Sequence, residues 1–227
     1  MSENGNRDRT NNVFQVLSLH PSGKEHIMNG FYNITISRQF GSLGRPIGMK
    51  LAQKLGIEFY DRDIIEEAAK RMDIALSDAS DMEENEKQGF LYMKTPLRGR
   101  TTELKEELYN VERKIIIEWA SKSSCVIVGR CSNYILRDDE NHMNVFIYAP
   151  YEKRLENCVN QLGMNEEKAR KMIMDVDRAR DVYHKCFTRF KPADLTYNQV
   201  MFDSSMLGVD GTADAIAAVA RLRFNLP

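Results

Sequence analysis

The stretch of the chain best suited to chemistry is Arg38-Gln-Phe-Gly41-Ser42-Leu43-Gly44-Arg45-Pro46-Ile-Gly48. It follows a run of β-formers, FYNITIS (31–37), and leads into a helical period with Ile47, Leu51 and Leu55 on one face. A strand that turns through glycines into a helix presents free backbone N–H groups at the positive end of the helix dipole. Such a turn holds an anion, phosphate above all, without any special side chain. Gly41, Ser42, Leu43 and Gly44 supply the turn, Arg45 adds bidentate donors suited to phosphate, and Arg38 and Lys50 are the next cations at hand. Pro46 suits the first helical turn, where a missing N–H costs nothing. The glycine spacing is GxxGxxxG, which departs from GxxxxGK[ST]. No Lys follows Gly44, and Pro46 stands where a magnesium-holding hydroxyl would be expected. It is not GxGxxG either.

Three further features bear on the same chemistry. Arg130 follows the apolar run CVIVG (125–129), so it emerges at the carboxyl end of a strand, where open α/β folds bind ligands; the bland alternative is a local salt bridge at the surface. Arg178 and Arg180, within Asp177–Asp181, sit near a helix-to-loop junction, as cations of a closing lid would; mixed charge on a helix is also simply a solvated face. Asp61, at the end of IEFY (57–60), suits a water, a magnesium ion or a helix N-cap.

These residues need a frame. Residues 1–30 form a polar extension with one apolar patch at 13–17. After the first strand and helix, IEFY is a short strand and 62–72 a helix. The stretch 73–100 is irregular and charged, and 101–121 is an amphipathic helix with Leu104, Leu108, Val111, Ile115 and Trp119 on one stripe. Buried strands are expected at 125–129 and 144–149, helices at 151–162 and 165–186, the second capped by Asn165, then a strand at 199–202 and a helix near 211–222. Strand and helix alternate, which predicts a mostly parallel sheet covered by helices on both faces.

Composition narrows the function. Hydrophobic residues make up 42% of 227, enough for a proper core. Thirty-two Lys and Arg nearly cancel thirty-three Asp and Glu, so the chain lacks the basic excess that nucleic acid or a membrane surface would select. The cysteines at 125, 131, 158 and 186 and four scattered histidines form neither a disulfide framework nor a metal motif, so no metal ligands are assigned. With no secretory segment at the N-terminus and no apolar run near ~20 residues, a cytoplasmic protein is expected.

Taken together, ITISRQFGSLGRPIGMKLAQKLGIEFYDRDII (34–65), CVIVGRCSNYIL (125–136), VFIYAPYEKRL (145–155), VDRARDVY (176–183) and FDSSMLGVDG (202–211) resemble the cytidylate kinase-like family, relatives of the nucleoside monophosphate kinases. The resemblance implies a P-loop kinase-like three-layer domain over 31–227, with a helical acceptor-binding insertion at about 62–122 and a lid at about 178–192. It implies ATP at 41–48, Mg2+ as a cofactor with no ligand assigned to it, and catalytic Arg130, Arg178 and Arg180 around the transferring phosphoryl group. The acceptor would be a small nucleotide, a nucleoside monophosphate first among them, and oligomerisation is left open. The alternative is a nucleotide-binding regulatory protein on the same fold with little catalysis. True cytidylate kinases carry a loop lysine, a carboxylate where Cys131 stands, and an arginine shortly after the strand-two Asp. Asp61 remains, and Arg98 and Arg100, flanking Gly99, are the replacement cations expected at the acceptor site.

Overall fold

The computed structural model describes residues 30–79 and 98–227, the first five of the second span by backbone alone. Five parallel strands form one sheet in the order β2-β3-β1-β4-β5: β1 (Asn33–Arg38), β2 (Glu58–Tyr60), β3 (Cys125–Val128), β4 (His142–Tyr148) and β5 (Val200–Asp203). β1 is central, in register with β3 through Ile34↔Val126 and with β4 through Ile36↔Val145. The connecting helices are α1 (Gly44–Leu55), α2 (Arg62–Met72), α3 (Arg98–Ala120), α4 (Ser132–Ile135), α5 (Tyr151–Asn160), α6 (Glu166–Thr188) and α7 (Gly208–Phe224).

The four apolar residues of β3 divide between two cores. Successive strand side chains point to opposite faces, so Val126 and Val128 join Ile34, Ile36, Ile47, Leu51 and Ile216 beneath α1 and α7. Cys125 and Ile127 join Ile64, Leu108, Ile115 and Ile116 beneath α2 and α3. A strand buried on both sides must be apolar throughout, which is why this run reads as continuous rather than alternating. The result is the expected three-layer α/β sandwich of the P-loop kinase-like kind.

Most boundaries fall within two or three residues of expectation. Asn165 does cap α6, its Oδ1 accepting from the N–H groups of Glu167 and Lys168 at 3.0 and 3.3 Å. Three differences matter. α3 begins at Arg98, so the end of the 73–100 stretch is helical, and Arg98 and Arg100 stand in the first turn of α3 with no turn at Gly99. β4 begins at His142 because pairing with β1 carries the polar His142 and Asn144 into the sheet; Thr35 Oγ1 and His142 Nε2 lie 2.6 Å apart there. α6 runs on to Thr188, so most of the segment expected as a lid is helix, stopped by Arg189 in the left-handed region (φ 69°). The apolar patch at 13–17 and the charged residues at 81–94 lie outside the described residues.

Candidate active site

The turn after β1 is sewn in place from several sides. Gln39 N–H donates to Ile147 O at 3.0 Å, and the Gln39 side-chain oxygen accepts from Ala149 N–H at 3.2 Å. Ser42 is fully buried, and its hydroxyl donates to Gln39 O at 2.9 Å. Ser204 Oγ donates to Ser42 O at 2.8 Å and Asn157 Nδ2 to Gly41 O at 2.9 Å. Gly41 (φ 78°) is required sterically: a Cβ there would lie 2.7 Å from Arg154 O and 2.9 Å from Cys158 Sγ. α1 then opens at Gly44 with no side chain capping it. Pro46 has no N–H and Ile47 N–H donates to Leu43 O at 3.0 Å, so Gly44 and Arg45 supply the N–H groups without an intrahelical acceptor at the positive dipole end, the arrangement that holds a phosphate.

The cations around this turn are arranged differently from the sequence expectation. Arg45 is half exposed, and its Nε donates to Asp61 Oδ2 at 2.6 Å. Its charge is therefore directed at Asp61 rather than at the turn. Asp61 is buried and occupies the N-cap position of α2, yet its side chain caps nothing. It is held by Arg45 and, at 3.8 Å, by Arg38. Arg38 is the more central cation. Its stem passes Gly44, where a Cβ would sit 2.6 Å from Arg38 Cβ. Its guanidinium lies across Gly129, where a Cβ would sit 2.3 Å from Nη1. Two glycines that look like turn residues thus make the channel in which Arg38 runs.

Beyond β3 the chain takes three left-handed residues in succession, Gly129, Arg130 and Cys131 (φ 83°, 58° and 52°). This turns Arg130 back over the sheet end, where its Nε is 3.5 Å from Oε1 of the fully buried Glu112 on α3. From the other side α6 closes directly on the loop. Asp177 Oδ1 accepts the Phe40 N–H at 2.6 Å while its Oδ2 accepts from Arg154 Nη1 at 2.5 Å. Arg154 Nη1 also donates to Phe40 O, and Arg180 Nη1 to Arg38 O at 3.1 Å. Between α6 and the ends of β1 and β3 lies a cavity lined by Arg38, Gly129, Arg130, Cys131, Arg180, Tyr183 and His184, among others. Phosphoryl transfer needs positioned positive charge more than covalent help, and three arginines line this one cavity.

Arg178 is not among them. A helix turns 100° per residue, and with Asp177 and Arg180 on the inner face of α6, Arg178 falls on the exposed face. The end of α6 is anchored by aromatic packing: Tyr109 stacks on Phe187 at 4.1 Å between centroids, and Phe190 on Tyr197 at 3.8 Å. His184 is buried among these groups, with Nδ1 2.8 Å from Phe190 O and Nε2 3.0 Å from the Asn133 side-chain oxygen. Burial lowers its pKa, against the pull of the Phe190 carbonyl, and favours the neutral ring. Lys50 is spent on Asp210 at 3.1 Å. The side chains of Arg98 and Arg100 lie outside the described residues.

No group of three or more acidic, His or Cys side chains is placed to hold a metal among the described residues. After Arg45 come Pro46 and Ile47 rather than a hydroxyl, the Ser42 hydroxyl is held by Gln39 O and Ile147 O, and Asp61 is committed to arginines. These residues do not fit a resident magnesium site. Sequence reasoning passed over Glu112, Arg154, Asp177 and Tyr183. One signal was available: Glu112 interrupts the apolar row Leu108–Ile115–Ile116 of α3, and an acid on a buried stripe needs a partner.

The sheet, the uncapped helix after β1 and the arginine-lined cavity define a P-loop kinase-like α/β protein. Residues 33–206 match the model of the cytidylate kinase-like family, and the chain belongs to that family. Among solved structures, an uncharacterized protein from Eubacterium ventriosum is similar at 25% identity and a TM-score of 0.64, over 83% of this chain and 98% of that one. Shikimate kinases from Acinetobacter baumannii, solved with shikimate (16% identity, TM-score 0.46, 87% and 95% covered), and from Bacteroides thetaiotaomicron (13%, 0.49, 86% and 99%) are likenesses too distant to bear on the site. No curated protein matches. No helix among the described residues is long and apolar enough to cross a membrane.

Proposed function

We propose that this protein transfers a phosphoryl group from ATP, carried with its magnesium, to a small phosphorylated acceptor, with nucleoside monophosphates the first to be tried. The carrying observation is that Arg38, Arg130 and Arg180 line one cavity beside the uncapped start of α1. The turn at 41–45 would take the triphosphate through backbone N–H groups. Arg38 would supply the charge that a loop lysine gives elsewhere, and Arg130 and Arg180 would neutralise the equatorial oxygens as charge spreads in the transition state. α6, already bonded to the loop through Asp177 and Arg180, is the element that closes the site and excludes water. The test is transfer of labelled γ-phosphate from MgATP to a panel of nucleoside monophosphates and other small phosphorylated acceptors. Turnover that disappears in Arg130→Ala supports the reading, and no transfer to any acceptor by well-folded protein refutes it.

A second reading, a nucleotide-binding regulatory protein with little catalysis, has its own support. Arg45 is turned to Asp61, no hydroxyl follows it, and a carboxylate, Asp177, already sits on the Phe40 N–H. On that reading MgATP binds with its γ-phosphate intact and the same panel gives binding without transfer.

A further inference from the structure

Glu112 takes no part in the readings above, yet it joins three elements at the edge of the cavity. It lies in the middle of α3 with no exposed surface, its Oε1 3.5 Å from Arg130 Nε and its Oε2 accepting from the Tyr183 hydroxyl of α6 at 3.0 Å. A carboxylate buried in an otherwise apolar stripe is costly unless it is paired. Replacement by Leu would continue the stripe of Leu108, Ile115 and Ile116 beneath the sheet. At 3.5 Å the contact is longer than a good hydrogen bond, so the attraction between Glu112 and Arg130 is mainly Coulombic. Arg130 itself stands in a left-handed backbone position that an L-residue keeps only when its surroundings hold it.

We propose that Glu112 is a positioning residue for phosphoryl transfer: it holds Arg130 back from anions in the resting site and sets the direction from which Arg130 meets the transferring group. Tyr183 reports the closure of α6 to the same carboxylate. This inference rests on the functional reading above, in which Arg130 meets phosphate. A purely structural Glu112 would change stability and leave the balance between anion binding and turnover alone. A positioning Glu112 does the opposite. Without its charge the carboxylate no longer competes with an anion for Arg130, so phosphate binds more tightly while the oriented contact in the transition state is lost.

The experiment compares wild type, Glu112→Gln, Tyr183→Phe, Arg130→Ala and the Glu112→Gln/Arg130→Ala double variant. Calorimetry with inorganic phosphate and MgATP is run beside kcat and KM for whichever acceptor the panel yields. Expected for Glu112→Gln is a several-fold tighter phosphate Kd with kcat down tenfold or more. Neither change should add to those of Arg130→Ala, because the effect passes through that arginine. Tyr183→Phe, which keeps every charge, should leave phosphate affinity unchanged and lower kcat by less. Weaker phosphate binding in Glu112→Gln, or effects that add in the double variant, overturns the proposal. If Glu112→Gln fails to fold, Tyr183→Phe decides: unchanged kcat then overturns it. Absence of wild-type turnover overturns the kinase reading instead, and the phosphate titrations still judge Glu112 through Arg130.

Discussion

Gly129→Ala tests the placing of Arg38, whose guanidinium lies across this glycine. Two costs follow from the structure. Gly129 has φ 83°, and an L-residue in the left-handed region costs about 1–2 kcal/mol of stability. The new Cβ would also lie 2.3 Å from Arg38 Nη1, but that atom ends a flexible side chain and moves aside cheaply. The protein therefore stays folded with a modest loss, and the larger consequence falls on Arg38. If that guanidinium serves phosphate, displacing it removes a hydrogen bond to a charged group, about 1.5–3 kcal/mol. At 1.4 kcal/mol per decade this is roughly a 10- to 150-fold weaker MgATP Kd. Calorimetry on Gly129→Ala, Arg38→Ala and the double variant supplies the check, with urea unfolding run alongside. The expected result is a similar affinity loss in all three, because the glycine reaches bound MgATP mainly through Arg38. Wild-type affinity in folded Gly129→Ala, or losses that add in the double variant, would refute the reasoning.

Other perturbations follow from the same geometry. Arg180→Ala should lower kcat at least tenfold while Arg178→Ala stays near wild type, since only Arg180 lines the cavity; steady-state kinetics with the identified acceptor checks this. Asp177→Ala removes the acceptor of both the Phe40 N–H and Arg154, and should destabilise the fold by about 1.5–3 kcal/mol in urea unfolding. His142 is buried against Thr35, and burial pushes its pKa down to about 4, well below the ordinary 6.5. The unfolded chain therefore takes the proton first. The stability contributed by the neutral ring is complete above pH 6.5 and is lost as pH falls toward 4, by about 3 kcal/mol in all. Urea unfolding from pH 7 to 4.5 should show a stability decline that is shallower in His142→Asn.

Local pattern alone made much of this protein legible. The β-formers at 31–37 and the apolar run at 125–128 read as strands, and the Ile47–Leu51–Leu55 spacing reads as a helix packed on one side. The capping Asn165, the turn through Gly41 and the emergence of Arg130 from a strand end follow from chemistry within a few residues. What the sequence could not give is the direction of long charged side chains. Arg45 adjoins the turn but reaches Asp61, sixteen residues on, because a buried carboxylate outcompetes an open solvent-facing turn for the nearest guanidinium. Arg178 and Arg180 look alike in the chain, yet helix rotation puts one on the exposed face of α6 and the other at the cavity. Gly44 and Gly129 read as turn residues, while their further use is to leave room for Arg38, which lies between them only in three dimensions. Glu112, Arg154 and Asp177 meet their partners across 18 to 137 residues of chain, and such pairings exist only once the sheet has brought α3, α5 and α6 to one end. Periodicity carries the backbone because it is a local property; the site is a property of contacts between elements, and the tertiary fold alone chooses those.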